Sequence, residues 1–111
     1  MRILVVCGAG ASSTFVALRL RRAAASAGLA VTASAGAEPS LAIDLDSADV
    51  VLVGPHLGRS LEEIQALAAP RGVRVVLLPD DIFTDHDGSR ALALVTSVAA
   101  SDVGSATAET A

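Results

Sequence analysis

The chain has one cysteine, Cys7, and the residues after it, Gly8-Ala9-Gly10-Ala11-Ser12-Ser13-Thr14, are all small. Small residues let a backbone turn tightly enough for successive N–H groups to point inward as an anion nest, and a helix starting just beyond adds its positive end. A tetrahedral dianion suits such a loop. Its oxygens would be held by the N–H groups, with further hydrogen bonds donated by the hydroxyls of Ser12, Ser13 and Thr14. The same field would lower the Cys7 thiol pKa toward a reactive thiolate. The segment therefore offers a nucleophile and a phosphoryl cradle together. The plainer reading is a buried, inert cysteine whose neighbouring glycines only make a turn.

Several phosphate-handling motifs fail on particular residues. A nucleotide phosphate loop needs Gly-x-x-x-x-Gly-Lys-Ser/Thr, and all eight basic residues here are Arg. The dinucleotide fingerprint Gly-x-Gly-x-x-Gly stops at Ser13, which follows Gly8 and Gly10 where the third glycine belongs. A receiver domain requires acids after the first strand and an Asp after the third, where this chain has Cys7-Gly8 and Gly54-Pro55. Small cysteine phosphatases use Cys-x5-Arg-Ser/Thr, and the Arg position is occupied by Ser13. Without that guanidinium the loop lacks the bidentate clamp that stabilises charge on a transferring phosphoryl group. A carrier must instead accept the group, shield it from water and surrender it to another protein.

The elements that must position the loop follow from apolar periodicity. Arg2 to Val6 reads as a buried first strand, and a helix capped by Ser12, Ser13 or Thr14 runs to about Gly28, with Phe15, Leu18 and Ala25 on its apolar side and Arg19, Arg21 and Arg22 elsewhere. Leu29 to Ala35 reads as a short second strand, and residues 36–47 as a loop with at most one helical turn. Asp49 to Val53 reads as a third strand closed by Gly54-Pro55, followed by a helix over 60–69 with Leu61, Ile64 and Leu67 on one side and a capping box from Ser60 to Glu63. Gly72 ends that helix, Val73 to Leu78 forms a fourth strand, and a last helix runs from about Gly88 to Ala100 with Ala91, Leu92, Leu94, Val95 and Val98 buried. Strands alternating with helices imply parallel pairing through crossovers. The expected fold is α/β, a four-stranded parallel sheet in a doubly wound three-layer sandwich of order 2-1-3-4. Ligands of such sheets bind outside the carboxyl ends of the strands, where Cys7 lies. Residues 1–100 form the domain, and 101–111 read as a flexible tail.

Bulk composition narrows the classes further. The chain has 111 residues, 52% of them apolar, yet its apolar runs are strand-length. They fall far short of the roughly 20 residues of a membrane span. The opening strand lacks the regions of a signal peptide, so the expected location is the cytoplasm, without direct membrane insertion. A lone cysteine excludes an internal disulfide and multi-thiolate metal sites. A net charge of -4 argues against nucleic-acid binding. With neither Trp nor Tyr, the chain has little for stacking on bases or sugars. No metal or cofactor is required by these residues.

Taken together, the apolar strand into Cys7 with its Gly/Ala/Ser/Thr loop, the segment Ala48-Asp49-Val50-Val51-Leu52-Val53-Gly54-Pro55 followed by Leu61-Glu62-Glu63-Ile64, and Asp87-Gly88 opening the last helix resemble the lactose/cellobiose class of enzyme IIB proteins of the bacterial sugar phosphotransferase system. The resemblance spans roughly residues 2 to 100. It implies that Cys7 takes a phosphoryl group from a phosphohistidine of an enzyme IIA partner and passes it to a sugar bound by a membrane enzyme IIC, and that residues 8–14 bind the phosphoryl oxygens. His56 stands where the family often has Gln, and Phe83-Thr84-Asp85-His86 replaces an aromatic followed by Gly. Pro55, His56, Phe83, His86 and Asp87 are thus candidate rim or partner contacts. A low-molecular-weight cysteine phosphatase or arsenate reductase, and a regulatory module with an inert Cys7, are the alternative readings.

Overall fold

The computed structural model describes residues 1–6, 10–36, 40–85 and 87–98, with the backbone alone for Gly10, Ala11, Ser12, His56 and Phe83. Cys7, Gly8, Ala9, His86 and the tail expected at 101–111 lie outside the described residues.

Four strands, β1 (Arg2–Val6), β2 (Thr32–Gly36), β3 (Val50–Val53) and β4 (Arg74–Leu77), form one sheet in the order β2-β1-β3-β4. Every pairing is parallel, with Ile3 opposite Ala33 and Val50, and Val53 opposite Leu77. Helices α1 (Gly10–Ser26), α2 (Leu41–Leu45), α3 (Leu61–Ala68) and α4 (89–98) occupy the two faces. The sequence-based fold class and strand order are those observed.

Side chains of β1 and β3 alternate between two cores, because successive strand residues point to opposite faces. Ile3, Val5, Val50 and Leu52 pack with Val16, Ala17 and Leu20 of α1 and with Ala91 and Val95 of α4. Leu4, Val6, Val51 and Val53 pack with Leu41 and Leu45 of α2 and Ile64 and Ala68 of α3. Both faces of the central strands are covered, which is why they read as unbroken apolar runs.

The helices depart from the sequence reading at several points. α1 begins at Gly10, so the hydroxyl residues lie inside the helix and do not cap it. Ser13 heads the buried stripe continued by Val16, Ala17, Leu20 and Ala24, while Phe15, one residue out of phase, is 57% exposed with the Arg19 guanidinium 5.9 Å from its ring. At the other end Leu29 N–H donates to Ala24 O (2.9 Å) and Gly28 N–H to Ala25 O (3.1 Å), with Gly28 left-handed at φ 71°. This Schellman closure absorbs Leu29, and β2 starts only at Thr32. α2 is the single turn expected within 36–47. A 3-10 segment, Pro55–Ser60, runs directly into α3, so the Ser60 side chain makes no cap hydrogen bond and the expected capping box is not formed. The buried stripe of α3 uses Ile64 and Ala68, with Leu61 packed against it and Leu67 exposed.

Candidate functional site

The carboxyl ends of the three neighbouring strands β1, β3 and β4 are held level by short hydrogen bonds. Gly54 N–H donates to Val6 O at 2.7 Å, and Leu78 N–H donates to Val53 O at 2.7 Å. Val6 is fully buried and immediately precedes Cys7; three residues later Gly10 opens the 17-residue α1. β1 lies between β2 and β3, so the chain winds away from it in both directions, and the space beyond the end of such a strand is the usual ligand position in sheets of this kind.

The first turn of α1 contains no acidic side chain. Its positive end is therefore not neutralised by a carboxylate of its own, a condition favourable to an anion lying in front of it. Of the residues expected to form the phosphoryl loop, Gly10, Ala11 and Ser12 belong to this turn by their backbone. Ser13 is completely buried and Thr14 exposed. No buried side-chain nitrogen or oxygen among the described residues lacks a hydrogen-bond partner, so the burial of Ser13 is compensated. Cys7, Gly8 and Ala9 lie outside the described residues.

The rim is built from two further connections. Pro55 is half-buried at the start of the 3-10 segment after β3, and the backbone of His56 follows it. After β4, Ile82–Thr84 form another 3-10 turn that includes the backbone of Phe83, with Ile82 anchored in the α1-side core. The exposed Asp87 accepts the Ser89 N–H at 3.0 Å, and that bond, followed by one from the Ser89 hydroxyl, holds its carboxyl below the usual aspartate range. Asp81 is lowered chiefly by the hydrogen-bonded Arg90 guanidinium, 3.0 Å away.

Asp85 escaped the sequence reading as an individual residue. It is 7% exposed, and its two oxygens accept the N–H groups of Arg90 (Oδ1, 3.1 Å) and Ala91 (Oδ2, 3.0 Å). The spacings of five and six residues differ from the usual cap, where the side chain reaches two or three residues ahead. Among the described residues no three His, Cys, Asp or Glu side chains come together as a metal site, and no helix is long and apolar enough to cross a membrane.

Comparison with known proteins bears on this arrangement. A family model described as "PTS system, Lactose/Cellobiose specific IIB subunit" matches residues 2–93. The lactose-specific IIB component domain of the phosphoenolpyruvate:carbohydrate phosphotransferase system from Streptococcus pneumoniae superposes with a TM-score of 0.80 at 21% identity, over 87% of this chain and 95% of that one; at this identity the likeness speaks for the fold. The cellobiose-specific phosphotransferase IIB component protein from Borrelia burgdorferi superposes with a TM-score of 0.69 at 29% identity, over 87% of this chain and 89% of that one. No curated protein sequence matches the chain.

Proposed function

The chain belongs to the lactose/cellobiose-specific IIB family of the phosphotransferase system, and on that premise we propose that it is a phosphocarrier that accepts a phosphoryl group on Cys7 from an enzyme IIA phosphohistidine and delivers it to a sugar bound by membrane enzyme IIC. The observation that carries this reading is the acid-free start of α1, which opens four residues beyond the buried end of β1. On this reading Cys7 would face the positive end of a long helix, in the region where ligands of such sheets bind.

In the proposed cycle the Cys7 thiolate attacks phosphorus in line. The S–P bond forms as the P–N bond to the partner's imidazole breaks, and the imidazole leaves as the neutral ring after taking up a proton. The N–H groups of Gly8, Ala9, Gly10 and Ala11, with the hydroxyls of Ser12 and Thr14, hold the phosphoryl oxygens, while the Ser13 hydroxyl, buried against the core, does not reach them. In the second half a sugar hydroxyl attacks phosphorus, the O–P bond forms, the hydroxyl proton is lost to a base, and the thiolate is released. The protein's contribution is positioning and charge stabilisation. Pro55, His56, Phe83, His86 and Asp87 contact the partner proteins. Hydrolysis is disfavoured because Ser13, a short side chain buried within the fold, stands where a phosphatase would use a guanidinium.

Incubation with phosphoenolpyruvate, the general phosphotransferase proteins and an enzyme IIA of the lactose/cellobiose class tests the reading. One phosphate mass should be gained and should be absent from Cys7→Ser; a label on a histidine, or steady hydrolysis of an aryl phosphate, refutes it. Independently, the alkylation rate of Cys7 should titrate with a midpoint below the roughly 8.5 of a free thiol.

A further inference from the structure

The connection from β4 to α4 is fixed at more points than an ordinary surface loop. Ile82 is sunk into the α1-side core, and the Thr84 hydroxyl donates to Asp81 O at 2.7 Å. Asp85 accepts the Arg90 and Ala91 N–H groups, Asp87 accepts that of Ser89, and the Arg90 side chain reaches back to Asp81. Gly88, left-handed at φ 75°, faces α1 so closely that a Cβ on it would fall onto the Arg19 carbonyl. The three N–H groups at the start of α4 are thus all taken by carboxylates of the preceding connection. One of these carboxylates is buried, an arrangement that is costly unless hydrogen bonds compensate it.

We infer that Asp85 is a positioning residue that fixes the described part of this connection, residues 79–85 with Asp87 and Gly88, as a preformed rim for docking of the phosphorylated enzyme IIA at the strand ends. The inference rests on the phosphocarrier reading. A partner must bring its phosphohistidine into line with Cys7, and a rim that became ordered only on contact would give up backbone entropy at every residue it ordered. A segment already fixed by Asp85 avoids that loss. Its role is thus felt in encounter with the partner and not in the S–P bond-forming step.

The test uses the full chain with Asp85→Ala, Asp85→Asn, which retains one acceptor oxygen, and Ile64→Val as a core control on the opposite face. The rate of phosphoryl transfer from a phosphorylated lactose/cellobiose-class enzyme IIA is measured against its concentration. Amide hydrogen exchange is followed on the free chain. Asp85→Ala should raise KM for the phosphorylated partner about tenfold while the saturating rate changes less than about twofold, and Asp85→Asn should recover part of the loss. Exchange of the Arg90 and Ala91 amides should accelerate while that of Val5 and Leu52 stays unchanged. An unaltered KM in Asp85→Ala, an equal rise in Ile64→Val, or unaltered exchange at Arg90 and Ala91 overturns the inference. A wild-type chain that accepts no phosphoryl group refutes the carrier reading itself and with it the docking role; the exchange measurement, which needs no partner, separately decides whether Asp85 holds the segment.

Discussion

Substituting Gly88 by Ala tests how tightly α1 and α4 are locked together. The residue has φ 75°, and a Cβ placed on it falls onto the Arg19 carbonyl group, 2.5 Å from its carbon and 3.0 Å from Leu20 N. Placing an L-residue in the left-handed region costs roughly 1–2 kcal/mol. The steric conflict is with helix backbone, so no side chain can swing aside. Relief requires parting the helices, which belongs with overpacking effects of about 1–3 kcal/mol. A loss of about 3–4 kcal/mol follows, a large share of the roughly 5–15 kcal/mol that stabilises a typical domain. The melting temperature should fall by roughly 12–32 °C, on a scale of about 4–8 °C per kcal/mol for a domain of this size. Two other glycines separate the contributions. Gly72 has φ 68° with nothing within 4 Å of an added Cβ, so Gly72→Ala carries only the conformational part, about 1–2 kcal/mol. Gly58 has open space and an ordinary φ, so Gly58→Ala is neutral or slightly stabilising. Urea melts followed by far-UV circular dichroism suit a chain without Trp or Tyr. A Gly88→Ala variant no less stable than Gly72→Ala refutes the close approach.

Three further outcomes are expected. Leu52 is fully buried in the α1-side core, so Leu52→Ala should lose about 3–4 kcal/mol in urea melts, whereas Leu77→Ala, at a side chain 43% exposed, should lose less than about 1 kcal/mol. Asp87 has its pKa lowered in the folded state, so its stabilising effect is present above the unfolded aspartate value of about 3.9 and disappears as pH falls through the lower folded value. The urea midpoints of wild type and Asp87→Ala should therefore differ by a constant amount at neutral pH and converge in acid; a gap that widens on acidification contradicts the assigned hydrogen bonds. Gly36→Ala, whose Cβ would come within 2.9 Å of Leu4 Cδ1 and 3.1 Å of Asp44 Oδ2, meets flexible side-chain ends and should lose only about 1 kcal/mol by the same melts.

The central strands were legible because burial on both faces leaves the unbroken runs Ile3 to Val6 and Val50 to Val53. The alternation of elements accounted for the parallel pairing, and the order 2-1-3-4 was expected from a doubly wound arrangement with β1 inside the sheet. Helix boundaries were less legible, since each depended on a choice between two local signals. Ser12, Ser13 and Thr14 have the chemistry of caps, but the phase set by Val16, Leu20 and Ala24 draws Ser13 into the core and starts the helix at Gly10. Leu29 looks like the start of a strand but closes the helix through Gly28, and Pro55 starts a helical path five residues before the hydroxyl that seemed to cap it. At the candidate site, the sequence supplied Cys7 and its loop as a motif, and the fold supplies the strand end and helix start on either side. The role of Asp85 was hidden because its partners lie five and six residues ahead, a spacing created by the fold of the connection and by no local repeat.

The Met1 ammonium donates to Ala30 O at 3.1 Å, and Met1 and Val98 line one shallow hollow with Asp49, Gly72 and Arg74 at the amino edge of the sheet. A strand of five residues, about 16 Å, separates that edge from the loops at the opposite end. A tether attached to either residue would emerge at the base of the sheet and leave the strand-end cleft unobstructed. The architecture therefore keeps the places where further chain could be joined at the pole opposite the connections that border the candidate site.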